Sequence, residues 1–186
     1  MPASESRLAE IFLQPGDVHF GDTNTRIWTV LGSCVSLTFW NARRRMGGMC
    51  HYMLPSRAEE RSTVGRGTAE RDGRYGDEAV RLLLGKMTAA GIDPRDCEIK
   101  LFGGGNMFPA QAARSEIHVG ARNVARAHEL LQAHGLECVA QHTGGVGHRK
   151  IAFDVWSGQV WVRHVESESG GCAQQEMEQR MCDRFA

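Results

Sequence analysis

The spacing of apolar residues changes character along the chain. From Arg26 to Trp40, Ile, Val, Leu, Phe and Trp alternate with Thr and Ser, a β-branched and aromatic stretch that predicts one long strand. The polar run Asn41 to Arg45 ends it. Met46 to Leu54 predicts a second strand, whose paired Gly47 and Gly48 suit a bulge or a close backbone approach. The period then switches from strand to helix. Val80, Leu83, Leu84 and Met87 recur at i, i+3, i+4 and i+7, the stripe of a helix that Asp77 can cap and that Gly91 and Pro94 stop. Val124, Ala127, Leu130 and Leu131 predict another helix over 121–134, closed by Gly135. Short apolar runs at 97–102 and 137–142 predict strands, and 150–156 and 159–165 flank Ser157 and Gly158 as a hairpin.

The connecting segments define the domain. Residues 1–14 predict a flexible N-terminal arm, Pro15-Gly16-Asp17 a turn into one domain over 15–165, and 166–186 a polar tail with no core face. Ser56 to Gly76 has almost no large apolar side chain and predicts a long, mobile surface loop directly after the second strand. Strands grouped at both ends with two main helices between them predict an α+β fold, a layered α/β sandwich with a mixed β-sheet of about six or more strands.

Composition narrows the function. A chain of 186 residues can bury a core without disulfides or a structural metal. Its 22 basic and 22 acidic residues cancel, which removes the bulk attraction to nucleic acid or an anionic membrane. No apolar run approaches the roughly 20 residues that span a bilayer, and the first residues lack the pattern of a signal peptide. The expectation is a cytoplasmic protein with six free thiols, no membrane insertion and no nucleic-acid partner.

One cysteine and one histidine carry the candidate chemistry. Cys34 lies in the first predicted strand and His51, 17 residues later, in the second. Each alone is ordinarily a packed residue. On neighbouring strands, however, thiol and imidazole can meet, and a cysteine nucleophile needs such a base. Gly32 and Ser33 precede Cys34, where backbone N–H groups can face a reacting carbonyl as an oxyanion hole.

Metal and nucleotide readings fit less well. Cys34, Cys50, His51 and Cys97 lack the ligand spacing of zinc sites, and adjacent strand residues such as Cys50 and His51 point to opposite faces, so neither metal nor cofactor is expected. Gly103-Gly104-Gly105-Asn106 lacks the Lys-Ser/Thr of a phosphate loop, and Gly144-Gly145-Val146-Gly147 precedes no helix. Both read as tight turns beside a cleft, with His148, Arg149 and Lys150 as rim residues. The pair alone leaves the substrate and the acyl acceptor open; a cysteine protease or a transglutaminase-like enzyme would use the same two residues.

Six segments in order resemble the CheD family of chemoreceptor glutamine deamidases. They are Leu31-Gly32-Ser33-Cys34-Val35, Met49 to Pro55, Tyr75 to Val80, Lys100 to Phe108, Ile117 to Asn123 and Gly144 to Ile151, all between about Pro15 and Val165. The resemblance implies a cysteine hydrolase, a protein-glutamine glutaminase that converts receptor glutamines to glutamate through a thioester and tunes chemotaxis adaptation. Cys34 is then the nucleophile and His51 the base. The family places a threonine six residues before the cysteine to orient the histidine. That position is Trp28 here, and Thr29 stands one residue nearer. On one regular strand Thr29 would face away from Cys34 unless Gly32 introduces a bulge. The resemblance also implies methyl-accepting chemotaxis receptors as substrate, a CheC-like phosphatase as partner, and a place at receptor arrays. Its alternative is a receptor- or CheC-binding adaptor whose catalysis is secondary or lost.

Overall fold

A computed structural model describes residues 8–57, 71–107 and 119–166. These form nine strands and two helices in three layers. The strands are β1 (Ala9–Phe12), β2 (Val18–Gly21), β3 (Thr25–Leu31), β4 (Val35–Asn41), β5 (Met46–Tyr52), β6 (Glu98–Gly103), β7 (Cys138–Thr143), β8 (His148–Asp154) and β9 (Gln159–Val165). The helices are α1 (Gly76–Ala89) and α2 (Val119–Ala133). The fold is α+β, but its strands divide into two mixed sheets. One has the order β1-β3-β8-β9 and the other β2-β5-β4-β6-β7, with parallel pairs only at β1/β3 and β6/β7.

The helices cover one face of the five-stranded sheet. Val35, Leu37 and Phe39 of β4 and Cys50 and Tyr52 of β5 pack there against Ala79, Val80, Leu83 and Met87 of α1 and Ala127, Leu130 and Leu131 of α2. The opposite face of that sheet stacks on the smaller one through Ile27, Leu31, Met49, Phe102, Ile151 and Phe153. Strands β4 and β5 are thus buried on both faces. Gly47 and Gly48 permit the close approach: a Cβ at 47 would lie 2.8 Å from Phe153 Cζ and one at 48 would lie 2.6 Å from Leu83 Cδ1. The β4/β5 register runs unbroken past both, so there is no bulge.

Three sequence expectations change. The single strand over Arg26 to Trp40 is two strands in different sheets, because the chain leaves the small sheet after Leu31 and enters the large one at Val35. Ala9–Phe12, inside the expected arm, pairs with β3 as an edge strand, and Leu13 is buried. Asp77 does not cap α1; the N-cap is Tyr75, and Asp77 sits in the first turn, accepting from Ser56 Oγ at 3.0 Å. Of the loop expected over Ser56–Gly76, residues 58–70 lie outside the described residues, as do 167–186 of the tail. No described helix is long and apolar enough to cross a membrane.

Candidate active site

Cys34 lies at the corner where the chain switches sheets, and its backbone is held on both sides. The Gly32 carbonyl accepts from the Gly105 N–H at 2.8 Å and the Cys34 carbonyl from the Gly104 N–H at 2.8 Å. Between them, the Ser33 carbonyl accepts from Asn123 Nδ2 of α2 at 3.0 Å. Only glycine fits at 104: its φ is +66° and an added Cβ would come within 2.8 Å of the Gly120 carbonyl oxygen. The glycine runs therefore act as backbone clamps on the Cys34 turn. Arg149 fastens the same region by donating to the carbonyls of Gly103, at 2.6 Å, and Gly144.

His51 is reached from the other side of the corner. In the β4/β5 ladder it stands directly opposite Ser36, and Cys34 precedes Ser36 by two residues, just before the ladder begins. The His51 face looks into the gap between the sheets, where Cys34 packs beside the inter-sheet core. Cys50 faces the helices instead. The His51 backbone is pinned by the turn before β2: its carbonyl accepts from the Gly16 N–H at 2.7 Å and its N–H donates to Asp17 at 3.0 Å.

A hydroxyl and a carbonyl settle the imidazole tautomer. Thr29 Oγ1 lies 2.6 Å from the Leu13 carbonyl and 2.9 Å from His51 Nδ1, and the same carbonyl is 3.4 Å from Nδ1. The one hydroxyl proton goes to the Leu13 carbonyl, so the hydroxyl oxygen accepts from an Nδ1–H. Nε2 then carries the free lone pair. It is buried and has no hydrogen-bond partner among the described residues, nor does the Oγ of Ser36 opposite. No hydrogen bond joins it to Cys34 Sγ in this resting arrangement. Base and nucleophile often draw together only when substrate is bound.

Burial decides the charges. It lowers His51 to about 4, against weaker pulls from the Leu13 carbonyl and Asp17, and raises the Cys34 thiol to about 11, partly offset by the residue's own N–H. Both groups rest neutral. The pair is a thiol beside a neutral base, not a thiolate with an imidazolium.

The structure joins Thr29 to His51 and places Cys34 against the same inter-sheet core, with Gly32 and Ser33 in its turn. Thr29 faces the gap because β3 ends at Leu31; the register argument against it assumed one continuous strand. Arg149 is not a rim residue: it is fully buried, as His148 nearly is. Leu13, Ser36 and Asn123 were not singled out from sequence. Asn123 lay within a quoted segment but carried no signal of its own, since only the docking of α2 places it. Among the described residues, no group of three or more His, Cys, Asp or Glu could hold a metal ion.

The family profile described as "CheD chemotactic sensory transduction" matches residues 53–164. The chain belongs to the CheD family. The match begins just past Cys34 and His51, but full-length relatives of the CheD group reach over both. The chain is 48% identical over 162 residues, 87% of its length and 91% of the relative's, to the "Probable chemoreceptor glutamine deamidase CheD 3" of Dechloromonas aromatica. A stretch of 162 residues in a chain of 186 cannot avoid positions 34 and 51. Identity is 47% to the "Probable chemoreceptor glutamine deamidase CheD" of Pseudomonas savastanoi, over 87% of this chain and 88% of that one. It is 38% to the protein of the same name from Maridesulfovibrio salexigens, over 89% and 98%.

Proposed function

We propose that the protein is a chemoreceptor glutamine deamidase that works through Cys34 and His51. The observation carrying this reading is the pair of contacts on His51 Nδ1, from Thr29 and Leu13, which leaves Nε2 bare in the gap between the sheets, where Cys34 packs. The names of the relatives supply the substrate class.

The chemistry follows from those protonation states. His51 Nε2 takes the thiol proton as Sγ attacks the glutamine side-chain carbonyl carbon, forming the C–S bond and a tetrahedral oxyanion. The imidazolium returns that proton to the carboxamide nitrogen. The C–N bond breaks, ammonia departs and a thioester remains. Water attacks the thioester, giving a proton to Nε2, and the C–S bond breaks as Sγ recovers it. The product is glutamate. Because the resting thiol is neutral, the base is needed in the attack itself rather than beforehand. The new carboxylate adds a negative charge to the receptor, which later methylation would mask, and this is how the reaction would tune adaptation.

Mass spectrometry of a chemoreceptor cytoplasmic fragment incubated with the protein tests the reading. A gain of about 1 Da per modified glutamine is expected, from exchange of amide for acid, and none with Cys34→Ala. No gain with wild type, or an equal gain with Cys34→Ala, overturns it. The competing reading is a receptor- or CheC-binding adaptor, which the missing hydrogen bond between Sγ and Nε2 favours. Receptor binding without any mass gain would decide for it. The resemblance further points to a CheC-like phosphatase as partner and to receptor arrays as the place of action; co-purification of the two proteins tests the first.

A further inference from the structure

Asn123 is fully buried, and its side chain uses two donors and wastes one acceptor. Nδ2 donates to the Ser33 carbonyl at 3.0 Å and to the Met53 carbonyl at 2.9 Å, while Oδ1 has no hydrogen-bond partner among the described residues. A residue there for volume alone would be better served by an apolar side chain, with no bare oxygen to bury. The two carbonyls are telling. Ser33 immediately precedes the nucleophile, and Met53 follows His51 by two residues. One amide therefore spans the ends of the two strands that carry the pair. The helix is fixed to β5 as well, since the Asn123 backbone carbonyl accepts from Tyr52 Oη at 2.7 Å.

Peptide geometry gives the consequence. In a trans peptide the C=O and the following N–H point in opposite directions. The Ser33 carbonyl is aimed into the protein at Asn123, so the Cys34 N–H of the same peptide plane is aimed away from it. That N–H donates to no other described residue. An unspent N–H beside the attacking atom is what an oxyanion hole requires. The neighbouring carbonyls of Gly32 and Cys34 are fixed by Gly105 and Gly104, so Asn123 supplies the one side-chain clamp among three.

We propose that Asn123 is a positioning residue for the oxyanion hole: its amide grips the Ser33 carbonyl and thereby presents the Cys34 N–H to the substrate's carbonyl oxygen. This rests on the deamidase reading for its natural substrate but not for its test. Iodoacetamide alkylates a thiol by direct displacement and forms no oxyanion, whereas p-nitrophenyl acetate acylates through one. The two probes separate positioning from general damage.

In Asn123→Leu, which keeps the branched shape and removes both donors, acylation by p-nitrophenyl acetate and kcat for glutamine deamidation are expected to fall about 10- to 1000-fold, the range seen when an oxyanion donor is lost. KM and the iodoacetamide labelling rate of Cys34 stay within about twofold of wild type on the same reasoning. Asn123→Ser, smaller and with one donor, is read in the same way beside a thermal melt. Undiminished acylation in the variants overturns the proposal. So does a parallel loss of labelling, acylation and folded state in both, which would assign Asn123 to packing. Acylation of wild type without glutamine deamidation overturns the deamidase reading and leaves the comparison of the variants intact.

Discussion

Thr29 of the small sheet holds Nδ1 of His51, on the large sheet, at 2.9 Å. Its hydroxyl is itself fixed by the Leu13 carbonyl, so the contact has a direction: Nδ1 donates and Nε2 keeps its lone pair. A residue from one layer thus sets the tautomer of an imidazole carried by another.

Removing that hydroxyl without changing volume isolates the effect. Thr29→Val is expected to lower kcat for deamidation about 10- to 100-fold, part of the 10²–10⁴ that a well-placed general base contributes. Thr29→Ser is expected to retain most activity. Steady-state kinetics on a receptor fragment checks both, and equal rates for Val and wild type would remove Thr29 from the mechanism.

The neutral resting pair has a signature in pH. With the Cys34 thiol near 11 and His51 near 4, alkylation by iodoacetamide is expected to climb steadily toward alkaline pH, following the small thiolate fraction. A plateau between about pH 5 and 8 would instead reveal a thiolate–imidazolium pair, as activated cysteines show. Liquid chromatography of the labelled Cys34 peptide across pH gives the profile.

His51 also links pH to stability. Its folded pKa, about 4, lies below the ordinary 6.5, so between those values the unfolded chain binds the extra proton. The contribution is complete above pH 6.5 and is lost as pH falls toward 4, amounting to about 3 kcal/mol over the window. Urea unfolding at pH 7 and pH 4.5 is expected to show a smaller drop for His51→Gln than for wild type. An identical drop in both would show that other groups govern acid sensitivity.

Arg149 is buried with no carboxylate partner among the described residues and spends its guanidinium on two backbone carbonyls. A lysine ammonium cannot span both. Arg149→Lys is expected to destabilise the fold by about 2–4 kcal/mol, the loss of charged hydrogen bonds with a carbonyl left unsatisfied. Chemical denaturation measures it, and a change below about 1 kcal/mol would mean the carbonyls find other donors.

Much of this was legible in the residues. The period of Val80, Leu83 and Met87 announced α1, and the β-branched run of β3 and β4 announced strands, because local spacing records which face is buried. The motif order also named the family before any geometry was known. Other features were not local. Gly32-Ser33-Cys34 looks like the middle of a strand, since both flanks are apolar; only two stacked sheets explain why both are buried while the chain bends between them. Ala9–Phe12 looks like an arm because an edge strand needs few apolar residues.

What the sequence determined by itself was the chemistry on offer: a thiol and an imidazole at a fixed separation, glycines where the backbone must come close, and no excess charge to draw a polyanion. What tertiary structure alone decided was how that chemistry is poised. The thiol and the imidazole are held neutral by burial, and Thr29, from a different sheet, and Leu13, just past β1, choose the tautomer. Hydrophobic period reports how each segment meets its nearest layer. It carries no record of which atoms from distant segments will share the gap between two layers.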